Sequence, residues 1–274
     1  MNDLKPTFSF GENWSNYLAK VDEAAFSGAM QDIIMWFGED GLAGKRILDL
    51  GCGSGIHSYC MHALKARELV SVDLDPKSVA TTRVLWEKAG SPASWLVSQG
   101  SALDRGFLEK LGTFDLVYSW GVLHHTGSMW AAIDNAAARV AQDGRLWMTL
   151  YTKGGKYPAD LALKQRYNQA SPAGQRAMVR RQIRWLMYWR LRTRRNPFAW
   201  NERTSRGMDT YHDLIDWLGG LPYEVASADE VVVWGRKAGF ILERIDPQGE
   251  GACSGYVFSR AAAPAASVAS LAKP

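Results

Sequence analysis

Short apolar runs alternate with segments of helical spacing along much of the chain. The runs that predict strands lie at 46–50, 69–73, 95–98, 114–118 and 145–151, and the segments that predict helices lie at 23–37, 56–66, 76–90, 102–110 and 128–142. Strands and helices that alternate at this spacing form βαβ units, which build a parallel sheet covered by helices on both faces. The pattern therefore predicts a doubly wound α/β domain.

Two further strands are predicted at 240–245 and 256–258, which brings the sheet to seven strands. A glycine loop joins these two directly, so we expect the last strand to run antiparallel. Capping signals precede two of the helices. Asp75 stands immediately before a proline, and Ser227 stands three residues before Glu230 in a capping-box pattern.

The strand pattern is interrupted by a long segment with helical spacing, many aromatic residues and a large excess of lysine and arginine. We expect this segment to be a helical cap inserted between strands 5 and 6. The predicted divisions are an N-terminal helical segment that covers the ligand site at 1–45, the sheet domain at 46–153 and 221–260, the basic cap at 154–220 and a low-complexity tail at 261–274.

The composition is that of a globular domain, since 47% of the 274 residues are hydrophobic and 22% are charged. The three cysteines show no metal-ligand spacing, so we expect a reducing, cytoplasmic location and no metal. The N-terminus lacks the basic start and apolar core of a signal peptide, and no run of about 18 apolar residues predicts a membrane span. The net charge of +4 does not by itself indicate a partner.

A glycine turn, Gly51-x-Gly53-x-Gly55, stands between the first strand and the next helix. Glycine permits positive φ and close approach of a ligand, and a helix N-terminus offers N–H groups to an anion. The spacing differs from the G-x-G-x-x-G of dinucleotide-binding proteins, which disfavours a nicotinamide oxidoreductase. Asp49 and Asp73 would suit a ligand with an amino-acid part and a ribose. Alternatively, Asp73 is a turn or capping residue.

Three segments resemble motifs of the class I S-adenosylmethionine-dependent methyltransferases. Residues 48–55 (LDLGCGSG) are similar to the first motif and residues 72–76 (VDLDP) to the second. Residues 114–126 (FDLVYSWGVLHHT) resemble the fourth-strand motif of the ubiquinone/menaquinone-biosynthesis-type subgroup, type 11/12. The resemblance implies a Rossmann-like seven-stranded sheet, S-adenosyl-L-methionine as cofactor and methyl transfer as the reaction.

The resemblance also implies a set of cofactor contacts. The glycine turn would line the methionine part, Asp73 would hold the ribose and Leu74 would pack on the adenine. Ser101 stands where the family often has an acid, so a hydroxyl or a backbone group would replace that contact. The implied cofactor-binding residues are Asp49, Gly51, Cys52, Gly53, Ser54, Gly55, Asp73, Leu74, Ser101, Ala102, Ser119, Trp120, Trp14 and Tyr17.

Three histidines are candidate catalytic residues. Methyl transfer is an in-line displacement, so a base is needed only if the nucleophile arrives protonated. His124 and His125 follow the fourth strand, at the sheet edge where α/β folds bind ligands. Either could be a base or could instead cap the next helix. His212 lies where the basic segment returns to the sheet, and it is a third candidate.

The expected function is methyl transfer to an oxygen or nitrogen of a small metabolite, natural product or short peptide. The alternatives are a tRNA or protein methyltransferase, a lipophilic quinol methyltransferase, and a catalytically silent cofactor-binding module. In the segment 180–192, arginines alternate with tryptophan, tyrosine and leucine. A cap over the acceptor pocket, a peripheral membrane contact and nucleic-acid binding all remain open for it, and nucleic acid is the least favoured. The oligomeric state, monomer or homodimer, is also open.

Overall fold

The computed structural model describes residues 11–12, 23–198 and 210–260. Within these ranges seven strands form one sheet. The strands are β1 (Arg46–Leu50), β2 (Glu68–Asp73), β3 (Trp95–Gln99), β4 (Phe114–Ser119), β5 (Val140–Tyr151), β6 (Phe240–Asp246) and β7 (Cys253–Arg260). The helices are α1 (Glu23–Phe37), α2 (Ile56–Ala63), α3 (Pro76–Lys88), α4 (Arg105–Lys110), α5 (Met129–Ala137), α6 (Tyr157–Gln169), α7 (Pro172–Arg192), α8 (Thr210–Gly219) and α9 (Ala228–Lys237).

The strand order is β3-β2-β1-β4-β5-β7-β6. The first five strands pair in parallel, whereas β7 runs antiparallel to both β5 and β6. This is the seven-stranded Rossmann-like sheet that the sequence pattern predicted, and the antiparallel last strand is confirmed. The predicted caps are confirmed as well. The Asp75 side chain accepts from the Lys77 N–H, and Ser227 and Glu230 form a complete capping box.

Both faces of the sheet are buried, because neighbouring residues of each central strand point to opposite sides. On β1, Leu48 packs with side chains from α5 and α9, whereas Ile47 packs with side chains from α1, α2 and α3. On β5, Leu146 and Trp147 divide in the same way. Two cores therefore hold the central strands rigidly and position their carboxyl ends.

The helices α6, α7 and α8 share a smaller core of their own. Tyr167, Val179 and Leu218 are buried in it, one from each helix. Among the described residues, these three helices stand between β5 and α9 in the chain. The division into an N-terminal segment, sheet domain, cap and tail remains a prediction.

Two predicted boundaries were wrong. The helix expected at 128–142 ends at Ala137, and β5 already begins at Val140, where it pairs with Phe114 across an irregularity in the ladder. The helix expected at 102–110 begins at Arg105, because the Asp104 side chain caps it by accepting from the Phe107 N–H. In the first case tertiary pairing overrides the helical preference of an alanine-rich segment.

The capping box of α9 predicts a measurable loss of stability. Replacing Ser227 with alanine removes the acceptor of the Glu230 N–H, so we expect Ser227→Ala to lower the free energy of unfolding by about 1 kcal/mol. Urea unfolding monitored by circular dichroism would measure it. Ser128→Ala is the matched control, because Ser128 is the N-cap of α5 but its side chain makes no capping bond. Equal losses in the two variants would contradict the prediction.

Candidate active site

The sheet order reverses between β1 and β4, so the carboxyl ends of these two strands form a switch point. The chain runs from β1 outward to β2 and β3, then returns to the other side of β1 as β4 and β5. In open α/β sheets, ligands bind at such a switch point. Three of the predicted features lie at this edge, because the glycine turn follows β1, Asp73 ends β2 and Ser119 ends β4.

The glycine turn needs its glycines for two reasons. Gly51, Gly53 and Gly55 have φ values of 87°, 53° and 77°, in the left-handed region that disfavours other residues. A Cβ on Gly51 would lie 2.3 Å from the nearest Val122 methyl carbon, and one on Gly55 would lie 2.9 Å from Thr82. Neighbouring protein atoms therefore fill the space beside these two glycines. The sequence predicted that a ligand would approach them there.

The Asp73 carboxylate connects this turn to the loop after β2. One oxygen accepts from the Gly53 N–H at 2.9 Å and the other accepts from the Asp75 N–H at 2.9 Å. Each carboxylate oxygen has a further lone pair, so the group can still accept two hydroxyl donors such as those of a ribose. Burial raises the pKa of Asp73 to about 6, although the two N–H donors favour its charged form.

Asp49 lies in the interior of the sheet domain. It is buried, and it accepts from the Ser58 hydroxyl at 2.5 Å. Ser58 in turn contacts Ser71 at 2.7 Å, and Ser71 accepts from the Trp95 indole. Burial raises the pKa of Asp49 to about 7. The Asp49 carboxylate therefore connects the strand before the glycine turn to α2 and β2 through a buried chain of hydroxyl groups.

Cys52 and Ser54 are also buried within the turn. The Thr82 hydroxyl donates to the Cys52 sulfur at 3.3 Å. Burial raises the pKa of the Cys52 thiol well above its ordinary value, with Asp73 and Asp49 adding to the effect. A thiol that stays protonated is a poor nucleophile, so Cys52 acts here as a small packing residue.

The residues predicted to surround an adenine lie along the ends of β2 and β3. Leu74 is half-exposed, and its carbonyl accepts from the Gln99 side chain at 3.1 Å. The Ser101 hydroxyl accepts from the Leu103 N–H at 3.1 Å, which leaves that hydroxyl able to donate. Ala102 is buried, and its carbonyl accepts from Asn135. An apolar side chain and a hydroxyl therefore lie just past the ends of β2 and β3.

The end of β4 carries the predicted pair Ser119 and Trp120. Ser119 is fully buried and donates to the Leu50 carbonyl at 2.8 Å, which ties β4 to the start of the glycine turn. The Trp120 ring stacks on His57, with ring centroids 5.9 Å apart. Its indole N–H is buried and has no hydrogen-bond partner in the described part of the chain. Trp120 therefore has an unused donor beside the switch point.

The described part of the N-terminal segment lies against the loop that carries Asp73. The Gly11 N–H donates to Asp75 at 2.9 Å, and Glu12 forms an exposed ion pair with Lys77 at 2.9 Å. A Cβ on Gly11 would lie 2.7 Å from the Ser78 nitrogen, so only glycine fits this contact. The predicted contacts of Trp14 and Tyr17 lie outside the described residues.

The three candidate histidines differ in their surroundings. His125 is partly buried, and its Nδ1 lies 2.6 Å from the Pro222 carbonyl oxygen. A carbonyl can only accept, so Nδ1 carries the proton and Nε2 of the neutral ring carries the lone pair. His124 is fully buried against Tyr151, at 4.1 Å between ring centroids. His212 is buried on α8, edge-on to Tyr211.

A buried lysine, Lys164 on α6, was missed by the sequence argument. Its ammonium donates to the Trp217 carbonyl. It lies 4.5 Å from the ring centroids of Trp217 and Tyr223 and 5.6 Å from that of Tyr151. Burial lowers the pKa of Lys164 to about 7, and Asp160 opposes this shift. A single lysine among many cations of a basic segment gives no local signal that could have identified it.

Comparison with known proteins places the chain among methyltransferases. Residues 21–206 match the family described as Methyltransferase domain. Among curated relatives, a tRNA U34 carboxymethyltransferase of Aeromonas hydrophila is 33% identical over 42% of this chain and 34% of its own length. A ubiquinone biosynthesis O-methyltransferase of Xanthomonas euvesicatoria is 31% identical over 44% of this chain and 48% of its own. The chain thus spans about a third to a half of these two relatives.

Solved structures share the fold at low sequence identity. Magnesium protoporphyrin IX methyltransferase from Synechocystis PCC 6803, with bound SAH, has a TM-score of 0.53 at 16% identity, over 87% of this chain and 84% of its own. An O-methyltransferase family protein from Burkholderia thailandensis has a TM-score of 0.54 at 16% identity, over 86% and 56%. The sheet and its flanking helices are therefore an arrangement that known methyltransferases also have.

The depressed pKa of Lys164 predicts a stability that rises with pH. Between about 7 and 9 the unfolded chain holds a Lys164 proton that the folded protein has released, so Lys164 raises the free energy of unfolding with pH by at most about 1.4 kcal/mol per unit. Above the ordinary thiol pKa of 9 the buried Cys52 and Cys60 oppose this rise. Lys164→Met keeps an unbranched side chain, one atom shorter, but removes the titrating amine, and it should flatten this rise. Urea unfolding at several pH values above 7 would measure the slope.

The exposed Lys237 at the end of α9 provides the control for this measurement. Lys237→Met should keep the wild-type slope. A wild-type slope in Lys164→Met would mean that Lys164 is still charged in the folded protein at these pH values.

Proposed function

The chain belongs to the methyltransferase-domain family, and from this premise we propose that it transfers a methyl group from S-adenosylmethionine to an oxygen or nitrogen of a small metabolite, natural product or short peptide. The observation that carries the proposal is the Asp73 carboxylate, which is held by the Gly53 and Asp75 N–H groups at the switch point. A carboxylate fixed in this way presents two acceptors to a vicinal diol.

The residues around the switch point fit this cofactor. S-adenosylmethionine supplies an electrophilic methyl group on a sulfonium. Asp73 would hold the ribose, the half-exposed Leu74 would pack on the adenine, and Ser101 could donate a hydrogen bond to the ring. The glycine turn would line the methionine part, and Ser119 and Trp120 would stand beside the reacting methyl group.

The chain's main contribution to the reaction is alignment, because the displacement requires the nucleophile to lie in line with the methyl group. If the acceptor arrives as a protonated alcohol or amine, a base must remove that proton. Of the three candidate histidines, His125 suits this role best, since its Nδ1–H donates to Pro222 and its Nε2 then carries the lone pair. The complete burial of His124 favours a packing role.

The curated relatives differ in the acceptor that their names give. One relative is named for tRNA and another for ubiquinone biosynthesis, and each is matched over less than half of its own length. A tRNA, protein or quinol acceptor, or cofactor binding without turnover, therefore remains the alternative. Transfer of a labelled methyl group into extracts of small molecules, of RNA and of protein would separate these alternatives.

The Asp73 contact predicts a loss of cofactor affinity. We expect Asp73→Asn to weaken binding of S-adenosylhomocysteine by about 1–3 kcal/mol, the scale of a charge-assisted hydrogen bond. Isothermal titration calorimetry would measure this. Asp143→Asn is the matched control, because Asp143 is exposed near the amino end of β5, away from the switch point. Equal affinities of wild type and Asp73→Asn would contradict the assignment, as would NAD binding in place of S-adenosylhomocysteine.

The raised pKa of Asp73 predicts that cofactor affinity depends on pH, which the same calorimetry can measure. The ionised carboxylate accepts from both hydroxyls, whereas the protonated form loses an acceptor. Wild-type affinity should therefore fall as the pH drops through about 6, and the affinity of Asp73→Asn should fall less.

A second proposal concerns the outward face of α7, which we assign to contact with an anionic membrane surface. Exposed fractions are 58% for Trp185, 55% for Tyr188 and 47% for Trp189, which lie on one side of the helix. Arginines lie exposed among them, and residues 172–198 contain no acid. Tryptophan and tyrosine favour the headgroup region, and arginine pairs with lipid phosphates. No helix among the described residues has the length and apolar character to cross a bilayer.

Vesicle flotation would test this surface. The full chain should float with phosphatidylcholine vesicles that contain phosphatidylserine and float less with pure phosphatidylcholine. The double variant W185S/W189S should bind at least about tenfold more weakly, because it removes two indoles from the interface. Trp130→Ser is the control, since Trp130 is an exposed tryptophan on α5. Binding to tRNA but not to vesicles would assign the face to nucleic acid and contradict the proposal.

A further inference from the structure

We propose that Lys164 is a positioning residue for His125, which it orients through the segment 217–224. This segment comprises the end of α8 and the residues after it and is here called the cap loop. This inference rests on the proposed methyl transfer, because it concerns the base that the reaction would use. Lys164 does not touch His125. It holds one end of the cap loop, and the middle of that loop carries the Pro222 carbonyl that accepts from His125.

The first end of the cap loop is fastened to α6. Lys164 donates to the Trp217 carbonyl, and its ammonium lies over the Trp217 ring on one side and the Tyr223 ring on another. One turn further along α6, Asn168 donates to the Gly219 carbonyl at 2.9 Å. Tyr157 donates to the Tyr223 carbonyl at 3.3 Å. Three side chains of one helix thus contact the loop on both sides of Pro222.

The second end of the cap loop is fastened to the sheet edge. The Glu224 N–H donates to the His124 carbonyl at 3.0 Å, and the Glu224 carboxylate accepts from the Met129 N–H at the start of α5. The loop therefore connects α6 to the turn that contains the histidine pair. A shift of its first end would move Pro222 relative to His125.

Two contacts of the cap loop fix the position and orientation of the His125 ring. Pro222 accepts from Nδ1 at 2.6 Å. A Cβ on Gly220 would lie 2.6 Å from Cε1 and 3.1 Å from Nε2 of the same ring, so the loop backbone lies directly against the imidazole. This arrangement selects one ring orientation and the tautomer with its proton on Nδ1. A base requires that tautomer if Nε2 is to accept a proton.

A lysine is a costly choice for this position, because on burial its side chain loses either its hydration or its proton, and this cost indicates a purpose other than packing. Lys164 is fully buried and forms no ion pair within the described ranges. Asp160 and Asp216 favour its charged form only through longer-range attraction. Aromatic faces offset part of the desolvation, but a methionine would fill the same space without that cost. What methionine cannot supply is a donor to the Trp217 carbonyl.

The tautomer of His125 can be measured without knowing the acceptor. Two-bond nitrogen–proton correlation spectra of the ¹⁵N-labelled full chain would be recorded at about pH 8.5, two units above the ordinary pKa of histidine. The resonances of His125 would be assigned by their absence in His125→Asn. We expect wild-type His125 to show a protonated Nδ1 and an unprotonated Nε2.

Two substitutions of the lysine test its role. Lys164→Met removes the donor to Trp217, and we expect loss of the single Nδ1–H form, with the Nε2–H tautomer appearing. Lys164→Gln keeps an N–H donor without the charge, and it should restore the wild-type pattern. Lys110→Met, an exposed lysine at the end of α4, is the control and should leave His125 unchanged.

The outcomes separate this inference from the proposed function. Wild-type histidine spectra in Lys164→Met would overturn the inference, and so would loss of the tautomer in Lys164→Gln. If Lys164→Met does not fold, loss of the Nδ1–H form in Lys164→Gln still overturns the inference. Calorimetry with S-adenosylhomocysteine should give wild-type affinity in both variants. Absence of binding in the wild type would overturn the methyltransferase proposal and leave the tautomer result standing by itself.

Discussion

The carboxylate of Asp73 links two successive strand–helix connections, and the candidate site is arranged around that link. Its two oxygens take N–H donors from the turn after β1 and from the loop after β2. The glycine turn and the start of α3 are thereby held in one orientation. Asp75 in the same loop accepts from the Gly11 N–H, so Gly11 also contacts the protein at this point. A partly buried carboxylate that is held by backbone N–H groups still has acceptor capacity, which a ligand diol can use.

Most of the fold could be predicted from the sequence because its signals are local. The strand runs, the glycine turn and the capping residues each act within a few positions of the chain, and the caps at Asp75 and Ser227 occur as predicted. The boundary errors came from long-range effects. Val140 joins β5 because it pairs with Phe114. The residues next to Val140 in the sequence give no signal that predicts this pairing.

The predicted cofactor residues lie close together in the chain, whereas the contact of His125 joins distant residues. Residues 49–55 and Asp73 are close in the chain, and the spacing that suggested them reflects the local geometry of one βαβ unit. The His125–Pro222 contact joins residues 97 positions apart, and the bond from Lys164 to Trp217 joins residues 53 apart. The residue types in these contacts are common and have no characteristic spacing, so a pattern search along the sequence cannot find them.

The two parts of the site depend on different packing. The part around the glycine turn is built on strands whose two faces are packed by separate cores, so its geometry depends little on the helices α6 to α8. The His125 ring, in contrast, is oriented by the cap loop, which in turn is held by α6. Changes in the small core of α6, α7 and α8 would therefore reach the histidine without reaching Asp73. Cofactor affinity and acceptor chemistry would then vary independently, because different parts of the chain determine them.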